Sequence, residues 1–386
     1  MDFELTSDQV LMLRTLREVC EPYGLDYWRE KDRKHEFVTE FWDELGAGGW
    51  LGISIAEEYG GGGLGALDVA LVVEEAARAG GGATVAQFFM FAVLEAATLS
   101  RHGTREQKQR FLPDIASGKL DCAIAVTEPD AGSNSFAITT TARREGDSYV
   151  LNGQKVWISG LERAGRMLVV ARTSEVPEGG RPSSGMTLFL VDTTSPGIER
   201  SLIEKLGTNC MTSSSVYLTD VIVPAEDRIG DEGAGWRILV DTLNIERIIT
   251  TSGAVGAGKL ALDLAARYAN QRVVFGRPIS TNQGVQFPLA SARATLECAA
   301  TLNYKAAWLF DQGLSSAAEG NMAKMVATDA AFAACDAAMQ VHGGYGYARE
   351  YHIERLWRDA RLFRIAPVTQ EMALSFVAQH VLGMSR

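Results

Sequence analysis

A carboxylate in line with an apolar helical stripe is the first chemical feature of this chain. Trp236, Leu239, Leu243, Glu246 and Thr250 recur at spacings of three and four, which puts them on one side of a helix. Burying a carboxylate there costs free energy unless it has a partner or a task. Partial burial also raises its pKa toward the range of a working base. Glu246 is therefore a candidate general base; the plainer alternative is a salt-bridged Glu at the stripe's edge. Adjacent helix residues do not face each other, so Arg247 is not expected to pair with it directly.

Four further segments could hold a ligand. Thr127-Glu128-Pro129-Asp130-Ala131-Gly132-Ser133-Asn134 follows a strand-like run. Pro129 fixes φ, Gly132 permits close backbone approach, and Thr127 and Ser133 supply hydroxyls. Such a loop can offer donors to an anion or a flat ring edge, or it can be an ordinary polar turn. In Lys155-Val156-Trp157-Ile158-Ser159-Gly160, strand alternation places Trp157 and Ser159 on one face. A large ring beside a small hydroxyl suits a flat cofactor, although a core tryptophan is the commoner outcome. Arg272-Val273-Val274-Phe275-Gly276-Arg277-Pro278 carries two arginines that could clamp a pyrophosphate or form a solvated basic turn. Gln340-Val341-His342-Gly343-Gly344-Tyr345-Gly346 ends a helix in glycines, which either admit a ligand or simply cap it.

Three stretches of different texture must position these groups. To about Asp121 the pattern is helical, opening with a capping box in which Thr6 is matched by Gln9. Glycine-rich stops follow at Gly46-Ala47-Gly48-Gly49 and Gly60 to Gly63, and Pro113 is expected to break a short helix over 107–115. From Cys122 to about Arg228, short β-rich runs alternate with turn signals such as Glu145-Gly146-Asp147 and Asn152-Gly153. One such run covers 137–142. From about Gly233, helices are predicted over 236–269, 287–309, 317–342 and 369–382, the number of a four-helix bundle. The expected architecture is a multidomain α+β chain. Residues 1–121 form an α-helical domain, 122–230 a small antiparallel β-barrel and 231–386 a four-helix bundle.

Composition narrows the function. The 386 residues are 46% apolar, enough for a substantial core. Lys and Arg total 37 against 48 Asp and Glu, a net charge of −11, which argues against nucleic-acid binding. The five cysteines form no C-x-x-C pair and the five histidines no H-E-x-x-H motif. No protein-bound metal and no disulfide framework are expected, and a reducing compartment fits. The acidic start Met1-Asp2-Phe3-Glu4 and the lack of a long uncharged apolar run suggest a cytoplasmic protein off the membrane.

In their order and separation, the segments resemble the acyl-CoA dehydrogenase family. Trp50-Leu51-Gly52-Ile53-Ser54, Glu57-Glu58-Tyr59-Gly60-Gly61, His102-Gly103-Thr104, the 112–118 run and Arg358-Asp359-Ala360-Arg361 add to the match, which covers nearly the whole chain. The resemblance implies non-covalent FAD, an acyl-CoA substrate, electron-transfer flavoprotein as acceptor, and a homotetramer (or dimer). It implies that Thr127, Gly132, Ser133, Trp157 and Ser159 surround the isoalloxazine. Arg272, Phe275 and Gln283 would reach a neighbouring subunit's FAD. Gln340, Gly343 and Gly344 would hold the adenosine pyrophosphate, and Thr369 and Glu371 would complete the cradle. Ser133, Asn244 and Arg247 would meet the substrate. Two positions depart from the family pattern: Asn134 stands for the usual Asp, and Gly160 for the Asn that often follows Trp-x-Thr/Ser.

Many members carry their base at the position held here by Pro367, which cannot take a proton. Isovaleryl- and long-chain-type members place a Glu directly before an Arg on a C-terminal-domain helix, and Glu246-Arg247 matches that pair. The resemblance thus implies α,β-dehydrogenation of a short, medium or branched acyl-CoA to trans-2-enoyl-CoA, with Glu246 taking the α-proton and FAD N5 the β-hydride. Pro367 also lacks the backbone N–H that helps polarise the thioester oxygen in the family. That loss keeps open a catalytically impaired partner subunit of a mixed assembly. A flavin oxidase or enoyl-CoA reductase of the same fold is a third reading. If Glu246 is not the base, Glu371 or Asp241 is next.

Overall fold

The computed structural model describes residues 4–385; Met1–Phe3, at the acidic start, lie outside that range. Six helices come first: α1 (Ser7–Cys20), α2 (Leu25–Lys34), α3 (Thr39–Ala47), α4 (Ala66–Ala76), α5 (Thr84–His102) and α6 (Arg105–Ala116). The capping box at Thr6 forms: its hydroxyl accepts the Gln9 N–H at 3.2 Å, and the Gln9 side chain accepts the Thr6 N–H at 3.1 Å. α2 escaped the apolar pattern because it is mostly charged and buries only Trp28 and Asp32. Pro113 does not break its helix. It sits in the last turn of α6, where its carbonyl still accepts the Ser117 N–H.

The middle of the chain is one eight-stranded sheet: β1 (Cys122–Ala125), β2 (Thr141–Glu145), β3 (Ser148–Ser159), β4 (Arg166–Arg172), β5 (Met186–Asp192), β6 (Ile198–Leu202), β7 (Ser213–Pro224) and β8 (Arg228–Ile229). The order is β6-β7-β3-β2-β4-β5-β8, with β1 beside β4. Most pairings are antiparallel, but β1–β4 and β2–β4 are parallel. Asn152-Gly153 is not a turn. β3 runs through it with a bulge, and Gly153 is needed because Thr140 packs where a Cβ would stand, 2.4 Å away. The strand expected from Ala137 starts only at Thr141, because the amides of Thr139 and Thr140 are taken by the Glu128 carboxylate.

The C-terminal part holds α7 (Gly235–Gln271), a β9–β10 hairpin (Val273–Val274, Arg277–Pro278), α8 (Gln283–Asp311), α9 (Ala317–His342), α10 (Ile353–Leu362) and α11 (Gln370–Phe376). The last predicted helix changes form: Thr369 caps it, and after Phe376 it continues as a π-turn over Val377–Val381. α7, the longest element at 37 residues, packs against α4, α5, α8 and α9. Glycines let it approach two of these. A Cβ at Gly253 would stand 2.5 Å from that of Ala86 on α5, and one at Gly256 would stand 2.3 Å from the Glu74 carbonyl on α4.

α10 ties the three parts together. Fully buried Asp359 accepts the Thr208 N–H at 2.6 Å and the Thr84 hydroxyl at 2.9 Å. Arg355 donates to the carbonyls of Gly80 and Gly81, and Arg358 to Asp32 at 2.7 Å. The Arg358-Asp359 segment is thus a structural hub. Among the described residues no helix is long and apolar enough to cross a membrane, and no group of His, Cys, Asp and Glu could hold a metal.

Candidate active site

Glu246 lies on the face of α7 that meets α5. One turn before it, the hydroxyls of Thr242 and Thr98 are 2.6 Å apart, and two turns after it Gly253 closes on Ala86. Glu246 is partly buried, and its Oε2 is shut off from solvent with no hydrogen-bond partner. Burial pushes its carboxyl up to about 7 against the opposing pull of Arg247 and Lys324. Arg247 is not its direct partner: Nη1 donates to the Leu243 carbonyl and to Asn244 Oδ1, each at 3.0 Å, and buried Nε has no acceptor. Lys324 on α9 is fully buried and donates to the Val368 carbonyl, next to Pro367; burial pulls its ammonium down to about 8. Of the reserve carboxylates, Asp241 is held by His102 at 3.0 Å, and Glu371 is exposed in the first turn of α11.

The loop after β1 is anchored from beneath. Glu128 turns inward, and its carboxylate accepts from the amides and hydroxyls of Thr139 and Thr140 and from Lys155 Nζ at 2.9 Å. Burial works against its charge, but Lys155 and these donors outweigh it and hold Glu128 at about 2. For Lys155, with no exposed surface, desolvation exceeds the attraction and lowers it to about 8. Pro129, Asp130, Gly132, Ser133 and Asn134 are left exposed above this anchor, and Thr127 is partly so. The Val156 N–H bonds to the Thr127 carbonyl at 2.9 Å, bringing the loop beside β3.

Trp157 is not core. A second bulge between Lys155 and Ile158 breaks the simple alternation, and Trp157 takes a left-handed φ of 63°. That conformation costs about 1–2 kcal/mol for a residue with a Cβ, yet it leaves the ring 56% exposed. Strain of this kind clusters at functional sites. Ser159 is partly exposed nearby, with its hydroxyl 3.4 Å from that of Ser213. Gly160, at φ 72°, leaves room for the Phe91 ring of α5, which a Cβ would meet at 2.3 Å. The departure from the Asn of the family pattern thus has a packing cause.

A third group lies at the other end of α7. Arg272, Gly343 and Gly344 line an open cleft of about 630 Å³ with Tyr268, His342 and Tyr345. The His342 ring stacks on Tyr268 at 4.3 Å, and the Gly343 N–H caps α9 at the Gln340 carbonyl. Gln340 and Gln283 are exposed. Phe275 is 100% exposed at the hairpin tip, where it and Gly276 both have positive φ, so it touches no other site residue of its own chain. Thr369 caps α11 by accepting the Met372 N–H.

Sequence reasoning missed three groups: the Glu128–Lys155 anchor, Lys324, and Glu95 on α5. Glu95 did leave a signal, as the lone charge between Thr84 and Ser100. The exposed strained ring and the pinned loop of donors suit a flat ring system, and the open glycine shelf beside an arginine, at the far end of α7, suits a pyrophosphate.

Family models of the acyl-CoA dehydrogenase N-terminal, middle and C-terminal domains match residues 6–119, 123–221 and 233–382. The chain is 43% identical over 367 residues to acyl-CoA dehydrogenase FadE12 of Mycobacterium tuberculosis, across 94% of this chain and 93% of that protein. It is 36% identical to a 3-(aryl)acrylate reductase of Clostridium sporogenes, across 98% and 99%. The solved butyryl-CoA dehydrogenase of Megasphaera elsdenii is similar with a TM-score of 0.93 at 34% identity, covering 99% of this chain and 100% of that one.

Proposed function

This chain belongs to the acyl-CoA dehydrogenase family, FAD-dependent oxidoreductases acting on acyl-CoA, and from that premise we propose that it oxidises the Cα–Cβ bond of a short, medium or branched acyl-CoA to trans-2-enoyl-CoA with Glu246 as base. The observation that carries the proposal is the solvent-shielded, unpartnered Oε2 of Glu246 on a carboxyl poised at about 7. A base of that pKa is half ionised at neutral pH and loses little driving force in taking a weakly acidic α-proton.

FAD, when bound, supplies the two-electron acceptor for the β-hydrogen. Thr127, Gly132, Ser133, Trp157 and Ser159 hold its ring system, with the exposed indole as the platform. Gln340, Gly343 and Gly344 take the pyrophosphate side, and Thr369 and Glu371 close the cradle. Arg272 and the exposed Phe275 and Gln283 reach a neighbouring subunit's FAD in a homotetramer. Ser133, Asn244 and Arg247 position the thioester, with Arg247 Nε as the free buried donor. Electrons leave to an electron-transfer flavoprotein, in the cytoplasm.

The 36% identical reductase favours a second reading, the same site run in reverse. Protonated Glu246 then delivers its proton to Cα of an enoyl-CoA. Anaerobic titration separates the readings. Bleaching of the bound flavin by a saturated acyl-CoA supports dehydrogenation and rejects an impaired subunit. Reoxidation of the reduced enzyme by enoyl-CoA, with no bleaching by any acyl-CoA, overturns it.

A further inference from the structure

The seam between α5 and α7 holds a second carboxyl that the proposed reaction does not use. Glu95 is 1% exposed, and neither of its oxygens has a hydrogen-bond partner. α5 and α7 run antiparallel, since Thr98 meets Thr242 while Ala86 meets Gly253. Glu95, just before Thr98, therefore falls level with Ile245 and Glu246. The surroundings are apolar: Leu94, Ala96 and Ile245 are buried, and Phe91, one turn back, packs on Gly160. Burial, and then the charge of Glu246, raises Glu95 well above the carboxylate range. Its protonated form is a carboxylic acid with one donor and one acceptor oxygen, neither with a partner.

We propose that Glu95 is a specificity-determining residue of the acyl pocket, whose carboxyl binds a hydroxyl carried by the acyl chain beyond Cβ. The inference rests on the dehydrogenase reading above. An unpartnered buried polar group is kept at a cost unless something arrives to satisfy it. A hydroxyl both accepts and donates, so it matches the two oxygens of the acid. A plain hydrocarbon chain leaves them unsatisfied. A terminal carboxylate would bring a third acid beside Glu246, whose charge already disfavours ionisation of Glu95.

The test is anaerobic flavin reduction by butyryl-, valeryl-, 4-hydroxybutyryl- and 5-hydroxyvaleryl-CoA, in the wild-type holoenzyme and in the Glu95→Leu and Glu95→Gln variants. Wild type is expected to prefer one hydroxyacyl thioester over its unsubstituted counterpart by about tenfold or more in kcat/KM. Glu95→Leu abolishes that preference, mainly through KM, and keeps or improves turnover of the hydrocarbon substrate. Glu95→Gln, which keeps a donor and an acceptor in the same shape, retains the preference even if the Leu variant fails to fold. Equal use of both substrate types by wild type, or a preference that survives in Glu95→Leu, overturns the proposal and leaves the dehydrogenase reading standing. No bleaching by any thioester ends both.

Discussion

Replacing Glu246 with Gln is expected to destroy activity and stabilise the fold. The carboxyl stands at about 7 in the protein against an ordinary 4.5. At about 1.4 kcal/mol per pH unit, that difference is about 3 kcal/mol of stability withheld by the ionised form. The sign follows from proton uptake. The folded chain holds this proton more tightly than the unfolded one, so the contribution is neutral below pH 4.5 and unfavourable as pH rises toward 7. Gln cannot ionise, so the variant escapes the penalty. Denaturant unfolding of wild type and variant from pH 4.5 to 8 should show curves that coincide at the acid end and separate by up to about 3 kcal/mol above pH 7. Over the same range, wild-type flavin reduction by acyl-CoA should rise through a midpoint near 7, while the variant falls by orders of magnitude with FAD content unchanged. A stability gap that does not change with pH would refute the buried-carboxyl argument. Near-normal flavin reduction by the variant would move the base elsewhere.

Four other substitutions test the frame of the site. Lys155→Met strands the Glu128 carboxylate, held at about 2, in a dry anchor; it should cost about 3–5 kcal/mol in chemical unfolding and release FAD into the ultrafiltrate. Because Glu128 is depressed below its ordinary 4.5, its stabilisation is present above that value and is lost as pH falls toward 2; Glu128→Gln should flatten that acid limb of the unfolding curve. Gly160→Ala drives a Cβ into the Phe91 ring at a positive φ, which should lower stability by about 1–3 kcal/mol in thermal melts. Trp157→Gly relieves the strained backbone, so the apoprotein should hold or gain about 1 kcal/mol while FAD affinity, followed by flavin fluorescence, falls at least tenfold.

The long helices of the last third were legible because a 3.6-residue apolar period survives in them; α9 is found at the Ala317–His342 predicted. Glu246 was legible for the same reason, as an acid inside that period. α2 and α10 were not, because both are short and dense in charge, with charged side chains buried beside the apolar ones. Trp28 and Asp32 are the buried residues of α2, and α10 is held by Arg355, Arg358 and Asp359. Local turn signals misled where tertiary contacts decided the backbone. Asn152-Gly153 reads as a hairpin tip, yet β3 continues through it with a bulge, and Thr140 of the neighbouring segment fills the space a Cβ at Gly153 would need. Trp157 is the reverse case: strand alternation paired it with Ser159 but left core and cofactor face both open, because the bulge and positive φ that set the ring on the surface depend on pairing with β7.

The basicity of Glu246 is a property of three elements. α7 supplies the side chain, and α5 removes its solvent by closing on Gly253 and Thr242. α9 supplies Lys324, a buried cation that favours the carboxylate and so limits how far burial can raise it. Burial alone would raise the carboxyl further; Arg247 first and then Lys324 pull it back. With a direct ion pair it would titrate near 4 or below and be too weak a base. Lys324 forms no direct ion pair with Glu246 among the described residues; its Nζ donates instead to the Val368 carbonyl, in the loop that carries Pro367. The loop that carries Pro367 therefore also engages the buried cation whose charge tempers the pKa of Glu246.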